Sequence, residues 1–490
     1  MRLLRTRVLG RSCVAAAAGA VLVVPLASAA GAADGGAPST PAVLPLPALE
    51  PGEYVTLDGT FQAPALTTTV SGREDPGLLL TTPAGPDGVA AAALYDNAGQ
   101  VVWQQDGVYL NLEQVTYRDR PALVLYDSMR AAHLVLDESY TEVAAIRLQG
   151  GPPTDGHDIA FSPDGSRVLV QGWVEVEMDL SPWGGSAQGT VMNTIIQEQD
   201  VETGEVTLEW RALDHLSPGE TQEPLVGPDL FHLNSLAYDD DGDILAGFRH
   251  TSTVYKIDSD SGEIIWRFGG ENSDFAFPGG AADMPSYQHD ARRLPDGSLS
   301  VFDNGNRHST RESRGAVYTL DESSMTATLT QDLRADPPVF SGIMGSNRQA
   351  PNGNQLVSYG GTGLMVEFAD GQAVFSAQFD NYASTYRAER TTADWTGTPA
   401  TAPEVVVGEA AEDGSRTVNV SWNGSSEVES WRIQAGPTED RLTTLGTTPK
   451  TGLETAAEVT APEHADVLRV TALDRNGTPL DSRTLTVTPT

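Results

Sequence analysis

The sequence predicts an all-β protein, a six-bladed β-propeller followed by a small C-terminal β-sandwich. Three observations support this prediction. A short apolar and acidic pattern recurs along most of the chain, Asp-Gly or Asn-Gly turns punctuate it, and the pattern stops near Pro399. The 490 residues exceed the size of one ordinary domain, and 49 Gly with 31 Pro are typical of a turn-rich chain.

The first 33 residues have the layout of a secretory signal peptide. Four arginines precede an apolar run over residues 14–26, and small residues in an A-x-A pattern follow it. We expect this leader to be cleaved, so that the protein is secreted to an extracellular or periplasmic location. The run is short for a membrane span, and no later stretch approaches about 18 apolar residues, so no span is expected.

Cysteine content and charge exclude several functional classes. The single cysteine, Cys13, lies in the leader, so the mature chain is expected to lack disulfides, thiolate catalysis and Cys-ligated zinc. Asp and Glu total 67 against 30 Lys and Arg, a formal charge of −37. Removing the four leader arginines would make it about −41. A nucleic-acid partner needs a basic surface, so none is expected.

An apolar run followed by an acidic turn recurs six times, with the turn aspartates 41 to 63 residues apart. This period is typical of a propeller blade, and two hairpins per repeat give a four-stranded sheet. Asp-Gly and Asn-Gly dipeptides between apolar runs are strong hairpin signals. The aspartates are Asp96, Asp137, Asp200, Asp258, Asp321 and Asp370, and the turn dipeptides are Asp87-Gly88, Asp164-Gly165, Asp241-Gly242, Asp296-Gly297 and Asn352-Gly353. We expect ring closure to recruit a strand near Gly52–Leu57 or Gly77–Thr81 into the last blade.

The domain prediction follows from these patterns. Residues 34–51 are rich in Ala, Pro and Gly and are expected to form a linker. Residues 52–399 are predicted to form the propeller, and we expect this part to be the catalytic domain. Residues 400–490 contain short alternating runs without the repeat pattern, which suggests a β-sandwich similar to a fibronectin type III module. We expect this module to serve packing or spacing.

Three histidines occupy equivalent places in consecutive repeats. His157 and His289 each lie seven residues before the Asp of their turn, and His232 lies nine before its own. In a propeller these places are on the innermost strands, which converge on the central channel. One such histidine more often packs a blade, but three in register favour a functional cluster.

Neighbouring polar residues extend the candidate site. Asn234 lies two residues after His232, so strand alternation places both side chains on one face. By the same rule Asp158 and Asp290, each directly after a histidine, should point away and serve packing. Arg249 and His250 lie on the return strand of the His232 hairpin, and the residues alone leave open which of them faces the channel.

No G-x-S-x-G, H-E-x-x-H or Walker loop occurs in the chain. Imidazole is a good nucleophile, and Arg or an imidazolium stabilises an oxyanion, so the set suits sulfuryl or phosphoryl transfer through a histidine. A three-His metal site that activates water is the alternative. The acidic run 239–243 hints at calcium, but an acidic hairpin tip is the better explanation.

Several segments resemble the arylsulfate sulfotransferase (arylsulfotransferase) family, in particular its actinobacterial and fungal branch. The resemblance extends over about residues 76–399. The segments are Gly156-His157-Asp158, Phe231-His232-Leu233-Asn234-Ser235, Phe248-Arg249-His250, Ile265-Trp266-Arg267-Phe268-Gly269-Gly270, Gln288-His289-Asp290-Ala291-Arg292 and Phe302-Asp303-Asn304-Gly305.

The resemblance implies a six-bladed propeller and ping-pong transfer of a sulfuryl group from a phenolic sulfate ester to a phenol, without a nucleotide sulfate. It implies that His289 is transiently sulfurylated to a sulfohistidine. It implies that His232, Asn234 and Arg249 hold the sulfate oxygens, which favours Arg249 over His250, and that His157 acts on the phenol oxygens. The partners would be small aryl sulfates and phenols, with no cofactor and no metal.

Two alternative functions remain open from the sequence. A metal-dependent hydrolase or lactonase would use His157, His232 and His289 as its ligands. A non-catalytic exported propeller would use its channel to bind a ligand without turning it over.

Overall fold

The structure, a computed structural model, describes residues 54–57, 62–85, 91–380, 383–462 and 464–487. By its contacts the chain divides into Met1–Ala48 and Leu49–Thr490, and the first unit lies outside the described residues. The predicted signal peptide and linker, Cys13 and the Asp87-Gly88 turn therefore also lie outside them. No helix of the described part is long and apolar enough to cross a membrane.

The described chain is nearly all β. In chain order the strands up to residue 390 are β1 (Leu66–Val70), β2 (Leu79–Ala84), β3 (Ala91–Tyr95), β4 (Val101–Asp106), β5 (Tyr109–Tyr117), β6 (Arg120–Asp127), β7 (Ala132–Leu136), β8 (Glu142–Ile146), β9 (Thr154–Phe161), β10 (Arg167–Met178), β11 (Gly189–Asp200), β12 (Val206–Arg211), β13 (Leu233–Tyr238), β14 (Ile244–Phe248), β15 (Thr253–Ile257), β16 (Ile264–Gly269), β17 (His289–Arg293), β18 (Leu299–Asp303), β19 (Arg314–Asp321), β20 (Thr326–Leu333), β21 (Ser346–Gln349), β22 (Gln355–Tyr359), β23 (Leu364–Ala369), β24 (Gln372–Phe379) and β25 (Ser384–Arg390). Helical turns are short, namely the α-helix α1 (Ala212–His215) and the 3₁₀ turns Ser181–Trp183, Pro218–Glu220, Gly280–Ala282 and Gly360–Thr362.

These strands form successive antiparallel sheets. Four sheets take consecutive strands, β5 to β8, β9 to β12, β13 to β16 and β17 to β20. The two remaining sheets have the orders β25-β2-β3-β4 and β1-β24-β23-β22-β21. Many four-stranded antiparallel sheets are the arrangement expected of a propeller. The number of blades stays a prediction.

Closure of the series follows the sequence expectation in part. Residues 79–81, within the expected segment Gly77–Thr81, lie in β2 and pair with β25, the last strand up to residue 390. Leu79, Leu80 and Thr81 are fully buried. The other closing strand, β1, lies outside both expected segments and pairs with β24.

Apolar clusters between neighbouring sheets form the core. Trp210 and Trp266, the tryptophans that follow the repeated acidic turns, are both buried. The Trp210 indole also donates a hydrogen bond of 3.0 Å to the carbonyl oxygen of Gly262 in the next hairpin. Large aromatic side chains of this kind supply much of the buried area in a β core.

Two further antiparallel sheets follow residue 400. One consists of β26 (Glu404–Val407), β27 (Ser415–Ser421) and β30 (Glu454–Thr460), and the other of β28 (Ser430–Gly436), β29 (Thr443–Pro449), β31 (Val467–Leu473) and β32 (Pro479–Thr486). They share an apolar cluster around Val418, Val420, Trp431 and Val470. The predicted sandwich class and the domain boundaries stay predictions.

Candidate functional site

The three predicted histidines lie close together at neighbouring first strands. His157 lies in β9, His232 directly precedes β13, and His289 begins β17. The rings of His157 and His232 are 4.7 Å apart between centroids. The ring of Tyr386, on β25, contacts both His157 and His289, with ring centroids 5.8 Å and 6.3 Å away.

Each of these histidines is held at Nδ1. His157 Nδ1 lies 2.6 Å from Oδ1 of Asp155, and His232 Nδ1 lies 2.6 Å from Oδ2 of Asp229. Two carboxylates thus hold two of the rings. His289 differs, because its Nδ1 lies 2.7 Å from the amide oxygen of Asn304. In all three rings this leaves Nε2 as the nitrogen available to a substrate.

The surroundings separate the three imidazoles by basicity. Burial disfavours the charged form of His157, yet the Asp155 carboxylate raises the pKa of this histidine above its ordinary value. Burial lowers the pKa of His232, and the neighbouring His157 adds to this against the raising effect of Asp229. Burial and the nearby Arg249 hold the pKa of His289 well below its ordinary value. Of the three, His157 is therefore the most readily protonated and His289 the least.

The sequence left open whether Arg249 or His250 faces the channel, and both lie at the site. Arg249 Nη2 donates to the carbonyl oxygen of Gly342 at 3.0 Å, and its guanidinium lies 4.7 Å from the centre of the Tyr287 ring. The His250 ring stacks on that of His232 at 4.7 Å. Burial and His232 lower the pKa of His250 to about 4, so it is uncharged.

Asn234 does not follow the simple strand alternation with His232. His232 has a φ of 55° and precedes the strand, and the pairing of β13 with β14 is irregular between Leu233 and Ser235. A bulge of this kind changes which face a side chain occupies. The Asn234 side chain is buried and donates through Nδ2 to the carbonyl oxygen of Gln288 at 2.9 Å. It thereby joins β13 to the residue before His289.

Asp158 and Asp290 are fully buried and ion-paired, consistent with the expected packing role. Arg387 Nη1 lies 2.7 Å from Oδ1 of Asp158, and Arg348 Nη2 lies 2.8 Å from Oδ1 of Asp290. We call the whole set the inner-strand ion network. Its members are Glu113, Asp158, Asp290, Arg292, Arg348, Arg387 and Glu389. The network joins β5, β9, β17, β21 and β25, so it fixes the strands that carry the histidines.

Side chains of Lys256 and Arg293 form ion pairs with carboxylates of the acidic run 239–243. Lys256 Nζ lies 2.9 Å from Oδ2 of Asp239 and 2.5 Å from Oδ2 of Asp241. Arg293 Nε lies 2.6 Å from Oδ1 of Asp239. These contacts agree with an acidic hairpin tip.

Among the described residues, one group of side chains comes within metal-ligand reach of one another, namely Asp229, His232 and His250, with ligand atoms within 4.8 Å. This is not the three-His set expected for the hydrolase alternative. His232 Nδ1 bonds the Asp229 carboxylate, and His250 Nδ1 lies 2.9 Å from the Asp229 carbonyl oxygen. These hydrogen bonds explain the compactness of the group without a cation.

Sequence reasoning assigned no role to four residues of this site, and it left His250 open as an alternative to Arg249. Two of the four are Tyr386 and Asn304, whose roles depend on contacts with residues of other strands. Asp155 and Asp229 lie two and three residues before their histidines. An Asp shortly before a histidine is the one signal that could have found them.

Comparison with solved structures gives distant likenesses, which carry no argument at these TM-scores. A Bacteroides caccae protein of unknown function is 14% identical, with 64% of this chain and 98% of that one covered and a TM-score of 0.41. A catalytically inactive Staphylococcus aureus virginiamycin B lyase is 11% identical, with 74% and 96% covered and a TM-score of 0.34. A Xanthomonas campestris gluconolactonase is 14% identical, with 73% and 95% covered and a TM-score of 0.33.

The search of curated proteins found no match. In contrast, the sequence profile described as Arylsulfotransferase (ASST) matches residues 132–380, more than half of the chain. His157, His232, Asn234, Arg249 and His289 all lie within these residues. The chain therefore belongs to the arylsulfotransferase (ASST) family.

Proposed function

We propose that this protein is a secreted aryl sulfotransferase that moves a sulfuryl group from a phenolic sulfate ester to a phenol through a sulfohistidine at His289. One observation carries the proposal. Within the residues that match the family, Asn304 holds Nδ1 of His289 and leaves Nε2 available, and burial with the nearby Arg249 keeps the pKa of the ring well below its ordinary value. A neutral nucleophile beside a fixed cation suits attack on an anionic ester.

Binding of the donor would place its sulfuryl oxygens on Arg249, on His232 and on the Nδ2 hydrogen of Asn234 that does not bond the carbonyl oxygen of Gln288. The Arg249 guanidinium remains charged although its burial lowers its pKa. The Tyr386 hydroxyl is buried and has no hydrogen-bond partner among the described residues. Burial raises the pKa of this hydroxyl, so it is a neutral donor that an ester oxygen could accept from.

In the first step the lone pair of His289 Nε2 attacks sulfur. The Nε2–S bond forms while the bond from sulfur to the phenolic oxygen breaks, and its electron pair leaves with that oxygen. His157, the histidine with the raised pKa, gives its Nε2 proton to the leaving oxygen. Phenolate is a good leaving group, so the proposed step uses neither a cofactor nor a metal.

In the second step an acceptor phenol takes the place of the first product. His157, now neutral, accepts the hydroxyl proton while the phenolic oxygen bonds to sulfur. The Nε2–S bond breaks and its electron pair returns to His289, which restores the starting enzyme. The two half-reactions give ping-pong kinetics.

The finer architecture belongs to the same proposal. The first strands β5, β9, β13, β17, β21 and β25 contact one another in this order, and β25 contacts β5 in turn. This supports six blades around one axis, with the histidines at the centre. The shared core of the two sheets after residue 400 supports a C-terminal sandwich. Membership of the actinobacterial and fungal branch, and a cleaved leader, remain part of the proposal.

The test is incubation with a chromogenic aryl sulfate, with and without a phenol, in the presence of a chelator. We expect the phenol to accelerate release of the chromophore and to become sulfated. Release that stops in chelator and returns with zinc would favour the metal-dependent hydrolase. No turnover under any of these conditions would favour a ligand-binding propeller.

A further inference from the structure

Asn304 is a fully buried side chain at the end of β18, beside the first residue of β17. Its Nδ2 donates two hydrogen bonds, to the carbonyl oxygen of Ser341 at 2.7 Å and to that of Met344 at 2.9 Å. Carbonyl oxygens only accept, so the amino group of the amide must face them. The orientation of the Asn304 amide is therefore determined by chemistry.

This orientation decides which nitrogen of His289 carries the proton. The Oδ1 atom of Asn304 faces His289 Nδ1 at 2.7 Å, and an amide oxygen accepts but cannot donate. Nδ1 must then carry the hydrogen. The lone pair of the neutral ring lies at Nε2, on the opposite side from Asn304.

Asn304 differs from the groups that hold the other two histidines in that it carries no charge. Asp155 and Asp229 hold His157 and His232 through the same ring atom, but with a charged oxygen. A carboxylate next to an imidazole stabilises the imidazolium, which has no lone pair to attack with. A neutral amide sets the same tautomer without adding a negative charge.

We propose that Asn304 is the positioning residue that keeps His289 a neutral imidazole with its lone pair at Nε2, as a nucleophile requires. It does so by holding the Nδ1–H tautomer through a neutral acceptor. That His289 acts as a nucleophile rests on the proposed function. The tautomer of His289 can be tested without turnover.

The other groups around His289 do not supply this control. Arg249 after β14, His232 before β13 and Arg387 on β25 all oppose a proton on His289. Tyr386 on β25 is a neutral hydroxyl. None of these groups determines which nitrogen of the neutral ring carries the hydrogen. Among the described neighbours of the ring, that selection belongs to Asn304.

The test uses Asn304→Asp in the full chain, which turns the pair into a third carboxylate–histidine pair. An opposite charge at this distance raises an imidazole pKa by about 1–3 units. We expect the transfer rate of the variant to fall about tenfold for each pH unit below the new pKa and to recover at higher pH. The wild-type protein should show this limb only at lower pH, because burial and Arg249 hold the pKa of His289 well below its ordinary value.

Asn352→Asp is the control. Asn352 is an exposed residue of the Asn352-Gly353 turn, and its Oδ1 accepts from the backbone N–H of Asn354 at 3.0 Å, a role that an Asp side chain keeps. The added carboxylate lacks the hydrogen bond to the ring, and the pH profile should stay close to that of the wild type. A folded Asn304→Asp protein with the wild-type profile would overturn the proposal.

A second measurement does not depend on activity. ¹⁵N NMR of the histidine rings in the wild-type protein, with the His289 signals identified by their loss in His289→Asn, reports the tautomer directly. We expect Nδ1 protonated and Nε2 unprotonated at neutral pH. The reverse tautomer, or an imidazolium, overturns the proposal. The expected tautomer in a protein without sulfuryl transfer would contradict the proposed function but support the positioning by Asn304.

Discussion

His157 and His232 lie edge to face, with ring centroids 4.7 Å apart, and each is held at Nδ1 by its own aspartate. Two imidazolium ions so close would repel each other, so the pair favours the state in which only one ring carries the extra proton and is charged. The opposite pKa shifts of the two rings assign that proton to His157. The pair thus combines one acid with one neutral donor or acceptor.

The first prediction concerns pH. The acid form of His157 is present below its raised pKa, so kcat/KM should fall as pH rises through that pKa. In Asp155→Asn the raising contact is lost, and the falling limb should move to lower pH by on the order of one unit. The pH profile should be measured with phenyl sulfate, whose leaving group needs the acid more than nitrophenolate does.

Asp164→Asn is the control for this prediction. Asp164 lies at the hairpin tip after β9 and bonds Ser162 and Ser166, away from the histidines. Its variant should keep the wild-type limb. An unmoved limb in Asp155→Asn would assign the acid to a group other than His157.

The second prediction concerns the proposed nucleophile. His289→Asn should lower transfer from a nitrophenyl sulfate to a phenol by at least roughly 10³-fold, because the covalent route is lost. Mass spectrometry after a donor pulse should find a sulfuryl group on wild-type protein and none on the variant. His464→Asn, an exposed histidine of the C-terminal sheets, is the control. Full transfer by His289→Asn would show that the nucleophile is another group.

The third prediction concerns Arg249. Its guanidinium is a fixed cation near His289 and Tyr287. Arg249→Ala should lower kcat/KM by roughly 100- to 1000-fold, as expected when one donor to a developing charge is removed. Arg249→Lys should recover part of this, since it restores the charge without the planar fork.

Arg311→Ala is suited as the control for Arg249. Arg311 is an exposed cation whose guanidinium lies 4.8 Å from the centre of the Phe340 ring. Its loss should leave kcat/KM nearly unchanged. Equal effects of both alanine variants would mean that Arg249 acts only through the general charge of the region.

The fourth prediction concerns stability. Arg387 donates to Asp158 and to the carbonyl oxygen of Asn234 at 2.6 Å, in a fully buried place. Arg387→Ala would leave these acceptors buried without their partner, and should lower the free energy of unfolding by about 3–5 kcal/mol. Urea unfolding measures this. Arg73→Ala, which removes an exposed ion pair with Asp370, should change little.

Much of the candidate site was accessible to sequence reasoning because the repeat sets the register. The spacing of His157, His232 and His289 to their turns placed them on neighbouring first strands, and the structure brings them together there. The alternation argument failed at Asn234, since the positive φ of His232 and a bulge interrupt the strand. Such irregularities leave no mark in the apolar pattern.

By itself, the sequence determined the β class, the repeated hairpins and the three in-register histidines, because these depend on local turns and on the alternation of side chains along a strand. Only the tertiary structure decided which group holds each ring. Asn304 reaches His289 from the adjacent strand end, Tyr386 comes from β25, and the ion network joins five strands. These contacts join residues of different strands, and their energies depend on burial and distance, which only the folded chain defines.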